Sequence, residues 1–432
     1  LFLASARRRI CEPGEPFSKA HPRGEGRLLC CLKKQGRYQS CRVILNRSQF
    51  VPTSLCLLLL GVAACDQSST STSGITYQHD TVASAPWSIH VAKIDRTQTQ
   101  IDLRSTLARD KVEGLSTLVQ QVKAVPASAG QPVAAVNGDF YVVDAKNPYV
   151  GDPRGLQILD GELVSAPTDQ ASFWIDASGQ AQATNVLSQL SVTWPDGSST
   201  PIGLNEERRD GAAVLFTPRH GASTRTQGGR ELILESTGSG PWLPLQAGRT
   251  FTGRVREVRS EGNTLLEGGV MVLSISPSLL NHATISAHAA AGATLKLSTA
   301  TIPDLGGVKM AISGGYVLVR EGQKQEIQTP QSEAYKFRSV RERHPRSAIG
   351  ASRTHFFLVE VDGRQPVLSV GMTLDELGDH MKKLGCDLAL NLDGGASATF
   401  WYQGKVRNSP SSGADRPIAN GVVVIAKPAA KP

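Results

Sequence analysis

Short apolar runs that break off into glycine beside an amide, a hydroxyl or a carboxylate recur along this chain, and they constrain its fold more than any other feature. They are Ala134-Ala-Val-Asn137-Gly138-Asp139, Ala311-Ile-Ser313-Gly314-Gly315-Tyr316 and Leu388-Ala-Leu-Asn391-Leu-Asp393-Gly394-Gly395. Runs this brief suit strands better than helices. An acidic or amide side chain just past the end of a core strand is a common seat of chemistry. Glycine there lets a ligand come close to the backbone, with free N–H groups for an anion.

Composition matters only once it is divided by position. Six of the seven cysteines (Cys11, Cys30, Cys31, Cys41, Cys56 and Cys65) fall in the first 65 residues, leaving Cys386 alone in the body. A disulfide framework or a cysteine-based zinc site is thereby excluded from the main domain. Residues 1–64 hold eleven basic and three acidic side chains, and the rest carries 35 of each sign. The formal +8 of the whole chain is therefore an amino-terminal property. A neutral body offers no charge argument for a nucleic-acid partner.

Leu55-Cys-Leu-Leu-Leu-Leu-Gly-Val-Ala-Ala64 is an apolar run of ten residues preceded by Arg47. It is too short to span a bilayer, which takes about 20, and reads as a secretory signal peptide. Gly61-Val-Ala-Ala-Cys65 resembles a bacterial lipoprotein box, with Cys65 as the acylated residue. The expected divisions are an over-extended start or signal n-region over 1–50, a lipoprotein signal over 51–65, a Ser/Thr-rich flexible tether over 66–75 and one domain over 76–432. The first methionine is Met271, which points to a true start at a non-Met codon near residues 43–51. The expected location is exported, periplasmic or cell-surface, and held to a membrane by lipid.

Within the domain the pattern predicts an α+β fold: a large mixed β-sheet with flanking helices and a β-rich insertion over about 196–300. Val112, Leu115, Leu118, Val119 and Val122 predict a helix over 110–125, and Asp160-Gly161 a hairpin turn. His355–Val361 reads as a strand, Asp362-Gly363 as a turn and Val367–Val370 as an antiparallel return. Thr373-Leu-Asp-Glu376 matches a capping box opening a helix with Leu374, Leu377, Met381 and Leu384 on one face, ended by Gly385.

Two further polar clusters precede strands, His344-Pro-Arg346-Ser347-Ala-Ile-Gly350 and Asp415-Arg416-Pro-Ile-Ala-Asn420. Taken singly, each cluster is explained by turn chemistry. In order, Val136-Asn-Gly-Asp-Phe-Tyr141, His344–Gly350, Leu390-Asn-Leu-Asp-Gly-Gly-Ala-Ser397 and Arg416–Asn420 resemble the patterns of the phosphodiester glycosidases over roughly residues 75–427. Tyr141, Ser347 and Ala396 stand where that family more often has Phe, Thr and Gly. The resemblance implies hydrolysis of a sugar-1-phosphodiester, GlcNAc-1-phosphodiester-like, to free sugar and a phosphomonoester, with no cofactor required.

It also implies roles. A phosphate leaving group needs little protonation but does need cations, for which Arg346 and Arg416 are the candidates. Asp393 first and Asp139 second are the carboxylates that would face the oxocarbenium-like centre. His344 is either a proton shuttle or a structural histidine. Asn137, Asn391 and Asn420 would hold sugar hydroxyls or orient the carboxylates, and Gly138, Gly394, Gly395 and Ser397 would complete the substrate site.

Two other readings stay open. One is a metal-dependent phosphodiesterase cleaving P–O, with Asp139 and Asp393 holding a single Ca²⁺ or Mg²⁺. The other is a non-catalytic lipoprotein binding envelope glycans. An aromatic content of 5% argues mildly against that, because sugar platforms use exposed rings. Phe400-Trp401-Tyr402 is the candidate platform, although alternation on a strand predicts burial.

Overall fold

The computed structural model describes residues 66–72, 74–238, 240–329 and 334–427. The signal segment, the suspected start and Cys65 lie outside the described residues. Asp66–Thr72, expected as a tether, instead runs as a strand antiparallel to Ile75–Val82. A Ser/Thr run has adequate strand propensity once a free sheet edge is offered to it.

The fold is β-rich α+β. An eight-stranded sheet runs in the order Asp66–Thr72, Ile75–Val82, Trp87–Asp95, His355–Val361, Arg346–Ala351, Leu388–Asn391, Val317–Arg320, Gln323–Lys324. A five-stranded sheet centred on Gln131–Asn137 and Asn420–Ala426 packs against it, with Phe400–Tyr402 beside the first of these. Ile94, Leu358, Leu390, Val136, Phe400 and Val424 share the core between them. A second five-stranded sheet, around Met310–Ser313 and Ala171–Ile175, adds Ile312 and Phe173 to that core. Among the described residues no helix is long and apolar enough to cross a membrane.

The insertion forms its own eight-stranded sheet, from Leu187–Thr193 to Thr294–Ile302. It starts nine residues before the expected boundary, because its first and last strands pair from Leu187↔Ile302 onward. The shift in composition near 196 falls at a hairpin inside the sheet rather than at its edge.

Asp160 and Gly161 both take positive φ, 51° and 85°, and join Gln157–Leu159 to Glu162–Ser165 as the dipeptide predicts. The early helix is shorter than expected, covering only Leu118–Lys123. Its start is Thr117, whose side chain forms a capping box with Gln120. Just before it the backbone N–H groups of Val112 and Glu113 donate to Arg219 and His220 of the insertion, which withdraws those residues from helical bonding. Val367–Val370 is a loop rather than a return strand: Val367 is fully exposed and Val370 N–H reaches across to Pro86.

The helix Leu374–Lys383 carries the expected box. Thr373 Oγ1 accepts from Glu376 N at 3.1 Å, and Glu376 Oε2 accepts from Thr373 N at 2.9 Å. Such a cap contributes about 1 kcal/mol. Leu374, Leu377 and Met381 pack against the outer face of the eight-stranded sheet, and Gly385 ends the helix at φ 84°. The helix start also fixes Met372, whose carbonyl takes part in the site below.

Candidate active site

A cavity of about 580 Å³ opens where the strand ends of the two packed sheets meet, and His344, Arg346, Asn391, Asp393, Gly394, Gly395, Ser397 and Arg416 line it. Asn137, Gly138, Asp139 and Asn420 form the layer beneath. The structure thus gathers all twelve candidate residues into one region, in two shells.

Asp393 stands at the centre. Its main chain is held from both sides: its N–H donates to Gly138 O at 2.9 Å, and Asn137 Nδ2 donates to its carbonyl at 2.7 Å. Asn137 Oδ1 in turn accepts from Ser347 Oγ at 2.6 Å and Thr399 N at 3.1 Å. The carboxylate receives Gly394 N at 2.9 Å and the Ser397 hydroxyl. Burial nevertheless pushes it up to about 6, opposed by those two hydrogen bonds and by the nearby Arg416 and Arg364.

Asp139 lies under the floor rather than on the wall. Its two oxygens accept from Phe140 N at 2.7 Å and Gly155 N at 2.9 Å, and its own N–H donates to Asn420 Oδ1 at 2.8 Å. Burial holds its carboxyl well above the usual carboxylate range, with the Asp393 charge adding to the effect. Asn420 is anchored by Gln157, and a side chain at Gly138 would collide with it. Asn391 Oδ1 accepts from Tyr316 N at 3.0 Å while its Nδ2 donates to Leu392 O. The three asparagines therefore orient the site's backbone. The glycines contribute room rather than donors: Gly394 N–H is turned onto Asp393 and Gly395 N–H onto Pro345 O.

Arg346 is only partly the phosphate fork that its sequence context suggests. Nε donates to Met372 O at 2.7 Å, and Nη2 to Ser339 O and Glu342 O at 2.6 and 2.8 Å. Only Nη1 is left for the cavity. Burial lowers this guanidinium to about 10. His344 sits between Glu342, 3.1 Å from its Nε2, and Arg364, whose Nε donates to its Nδ1 at 3.4 Å. Burial and the two arginines lower its pKa, which favours the neutral ring.

Arg364 is a functional candidate that sequence reasoning missed. It follows Asp362-Gly363, read only as a turn, and takes φ 60°. That conformation turns its guanidinium over Gly395, where Nη2 also donates to Tyr335 Oη at 3.2 Å. Arg416 approaches from the other side, its guanidinium 5.7 Å from the Tyr141 ring centroid. Tyr316 and Gln170 also line the cavity, and Gln170 Oε1 has no hydrogen-bond partner. Gly314-Gly315-Tyr316 was legible as a cluster, but not as a cavity wall.

Residues 246–425 match the family model described as phosphodiester glycosidase. That stretch is similar to the phosphodiester glycosidases. The matched stretch includes His344, Arg346, Arg364, Asp393 and Arg416. Over 108 residues the chain is 33% identical to N-acetylglucosamine-1-phosphodiester alpha-N-acetylglucosaminidase of Bos taurus, a match that covers 25% of this chain and 20% of that protein. The chain thus aligns with about a fifth of the length of that relative.

Two crystal structures share the fold of this chain. A hypothetical protein from Synechocystis superposes with a TM-score of 0.66 at 19% identity, over 84% of this chain and 64% of that one. A protein of Burkholderia pseudomallei K96243, described as exported, superposes with a TM-score of 0.59 at 22% identity, over 79% and 74%.

Phe400, Trp401 and Tyr402 are buried in the core. They are no platform for a glycan.

Proposed function

We propose that this domain hydrolyses the glycosidic bond of a sugar-1-phosphodiester of the N-acetylglucosamine type. The observation that carries the reading is Asp393, a carboxylate poised near neutrality in a cavity where Arg364 and Arg416 approach it. The phosphodiester would lie against the two guanidiniums, which match its oxygens and hold the charge that develops as the bond breaks. The anomeric carbon would then face Asp393, which is ionised above about pH 6 and stabilises positive character at that carbon. Water supplies the oxygen that bonds to C1, and the C1–O bond breaks with its electron pair leaving on the phosphate. Arg346 Nη1 and the Arg364–His344–Glu342 chain fix the cationic wall, while Gln170 and Tyr316 suit sugar hydroxyls.

Turnover of a synthetic GlcNAc-1-phosphodiester in ¹⁸O water tests this. Free sugar carrying the label is expected. Label in the phosphate, with activity lost in chelator, would replace the reading with P–O cleavage by a metal-dependent phosphodiesterase. No turnover on a panel of sugar-1-phosphodiesters would favour a glycan-binding protein.

We further propose export and acylation of Cys65, supported by the apolar run Leu55–Ala64 and the small residues before the cysteine. The strand beginning at Asp66 would then seat the domain directly at the membrane surface. Cys65→Ser is expected to move the protein from the membrane to the soluble fraction and abolish labelling by a fatty-acid probe. Persistent labelling would refute the anchor.

A further inference from the structure

A second cluster of chemistry-bearing side chains lies inside the inter-sheet core, on strands that the proposed reaction does not use. Glu360 stands directly opposite His90 in the antiparallel pairing of His355–Val361 with Trp87–Asp95, and Asp362 follows two residues on. All three are buried, at 0%, 2% and 2% exposure. One ligating atom from each can be chosen so that all lie within 4.8 Å of one another.

Two of the three are well accounted for by hydrogen bonding, and the third is poorly so. Asp362 Oδ1 accepts from Ser409 N at 2.7 Å, and its Oδ2 from Ser88 Oγ at 2.8 Å. His90 Nδ1 is 2.8 Å from Tyr77 Oη. Neither oxygen of Glu360 makes a hydrogen bond of good geometry, and the Asn408 side chain beside it is only a weak donor. A carboxyl group taken out of water with so little at its oxygens is among the costlier arrangements a core can hold, and it calls for an ion or a water to satisfy it.

The geometry favours an ion. His90 Nε2 and Asp362 Oδ2 are 3.3 Å apart, long for an N–H···O bond, whose usual length is about 2.9 Å. It matches the edge between two ligands bound tetrahedrally to one metal at about 2.1 Å, which are roughly 3.4 Å apart. Tyr77 supplies the outer support typical of a metal-bound histidine: a ring donating Nδ1–H to Tyr77 Oη presents the Nε2 lone pair to the cluster. His79 stacks on the same ring, centroids 4.4 Å apart, and holds its plane.

We propose that His90, Glu360 and Asp362 form a buried structural site for one divalent transition-metal ion of the zinc class. One imidazole and two carboxylates suit such an ion better than the all-oxygen shells of Ca²⁺ or Mg²⁺. Its position is distinct from the cavity, and its ligands exclude Asp139 and Asp393. The ion would tie Trp87–Asp95 to the strand that leads into Arg364, and through Ser409 to the loop that leads into Arg416.

The test is metal content of the full chain expressed in cobalt-supplemented medium, so that the ion is present while the core forms. One Co²⁺ per chain with the visible bands of low-coordinate cobalt is expected, displaced by Zn²⁺. Glu360→Gln keeps the size of the side chain and removes a ligand. In it and in His90→Gln, bound cobalt is expected to fall at least about tenfold. Asp393→Asn is expected to keep both the stoichiometry and the bands. A folded wild-type chain without bound metal would overturn the site, as would cobalt that survives both ligand variants or is lost with Asp393.

Discussion

Asp393→Asn is expected to lose turnover by about 10³-fold or more while remaining folded, and at pH 8 to unfold at a higher temperature than the parent chain. Both outcomes come from the same burial. The carboxyl is raised from 3.8 to about 6, so the folded state binds its proton more tightly than the unfolded chain. Above about pH 6 that proton is absent in both states and the fold bears the full cost of an ionised, desolvated group, no more than about 3 kcal/mol. Below pH 3.8 both states hold the proton and the cost vanishes. The asparagine variant should therefore gain stability at pH 8 and lose that gain as the pH falls through 6 to 4. Acting as an ionised carboxylate, Asp393 should also make the parent's kcat/KM fall about tenfold per unit below pH 6. A variant that unfolds, or one that keeps its turnover, would move Asp393 out of the catalytic role and leave it a structural residue of the turn.

Asn137→Ala is expected to be the most destabilising single change in the site. It removes the donor to the Asp393 carbonyl and the shared acceptor of Ser347 Oγ and Thr399 N, at a position 1% exposed where water cannot replace it. Buried polar groups left unpaired cost 1–3 kcal/mol each, so the loss should be roughly 3 to 5 kcal/mol. It should be read as a lower urea midpoint with an unchanged slope. In the fraction that folds, kcat should drop about 10²-fold, because Asp393 loses one of the two bonds that set its position. An unmoved midpoint would mean that the clamp contributes nothing to the fold.

What the sequence made legible depended on how far apart the partners lie. Thr373 and Glu376 are three residues apart, so their reciprocal cap could be read directly. Leu388 to Asp393 spelled a strand and its polar end for the same local reason. Arg364 escaped because its importance comes from a positive φ after an ordinary-looking turn. The partial occupation of Arg346 by Met372, Ser339 and Glu342 is set by how a helix start and a loop pack, which no local pattern encodes. The His90–Asp362 contact joins residues 272 apart in the chain, and strand register alone brings Glu360 opposite that imidazole. The insertion's edge was misplaced because composition shifts at a hairpin, whereas a sheet ends where its pairing ends.

The pairing of Leu187 with Ile302 returns the chain to the point from which the insertion departed. The base of that sheet is committed, since Leu156, Ile158 and Leu163 share its core and Glu113 N–H donates to its His220. The exposed hairpin turn over residues 195–198, which joins Leu187–Thr193 to Ser199–Pro201, lies on the outer rim of that sheet. Adding residues there raises loop-closure cost only slowly. Variation in overall size can thus accumulate at that rim while the distance between Asn137 and Asp393 stays fixed, and the rim is the place to attach a fluorophore or an affinity handle without touching the cavity.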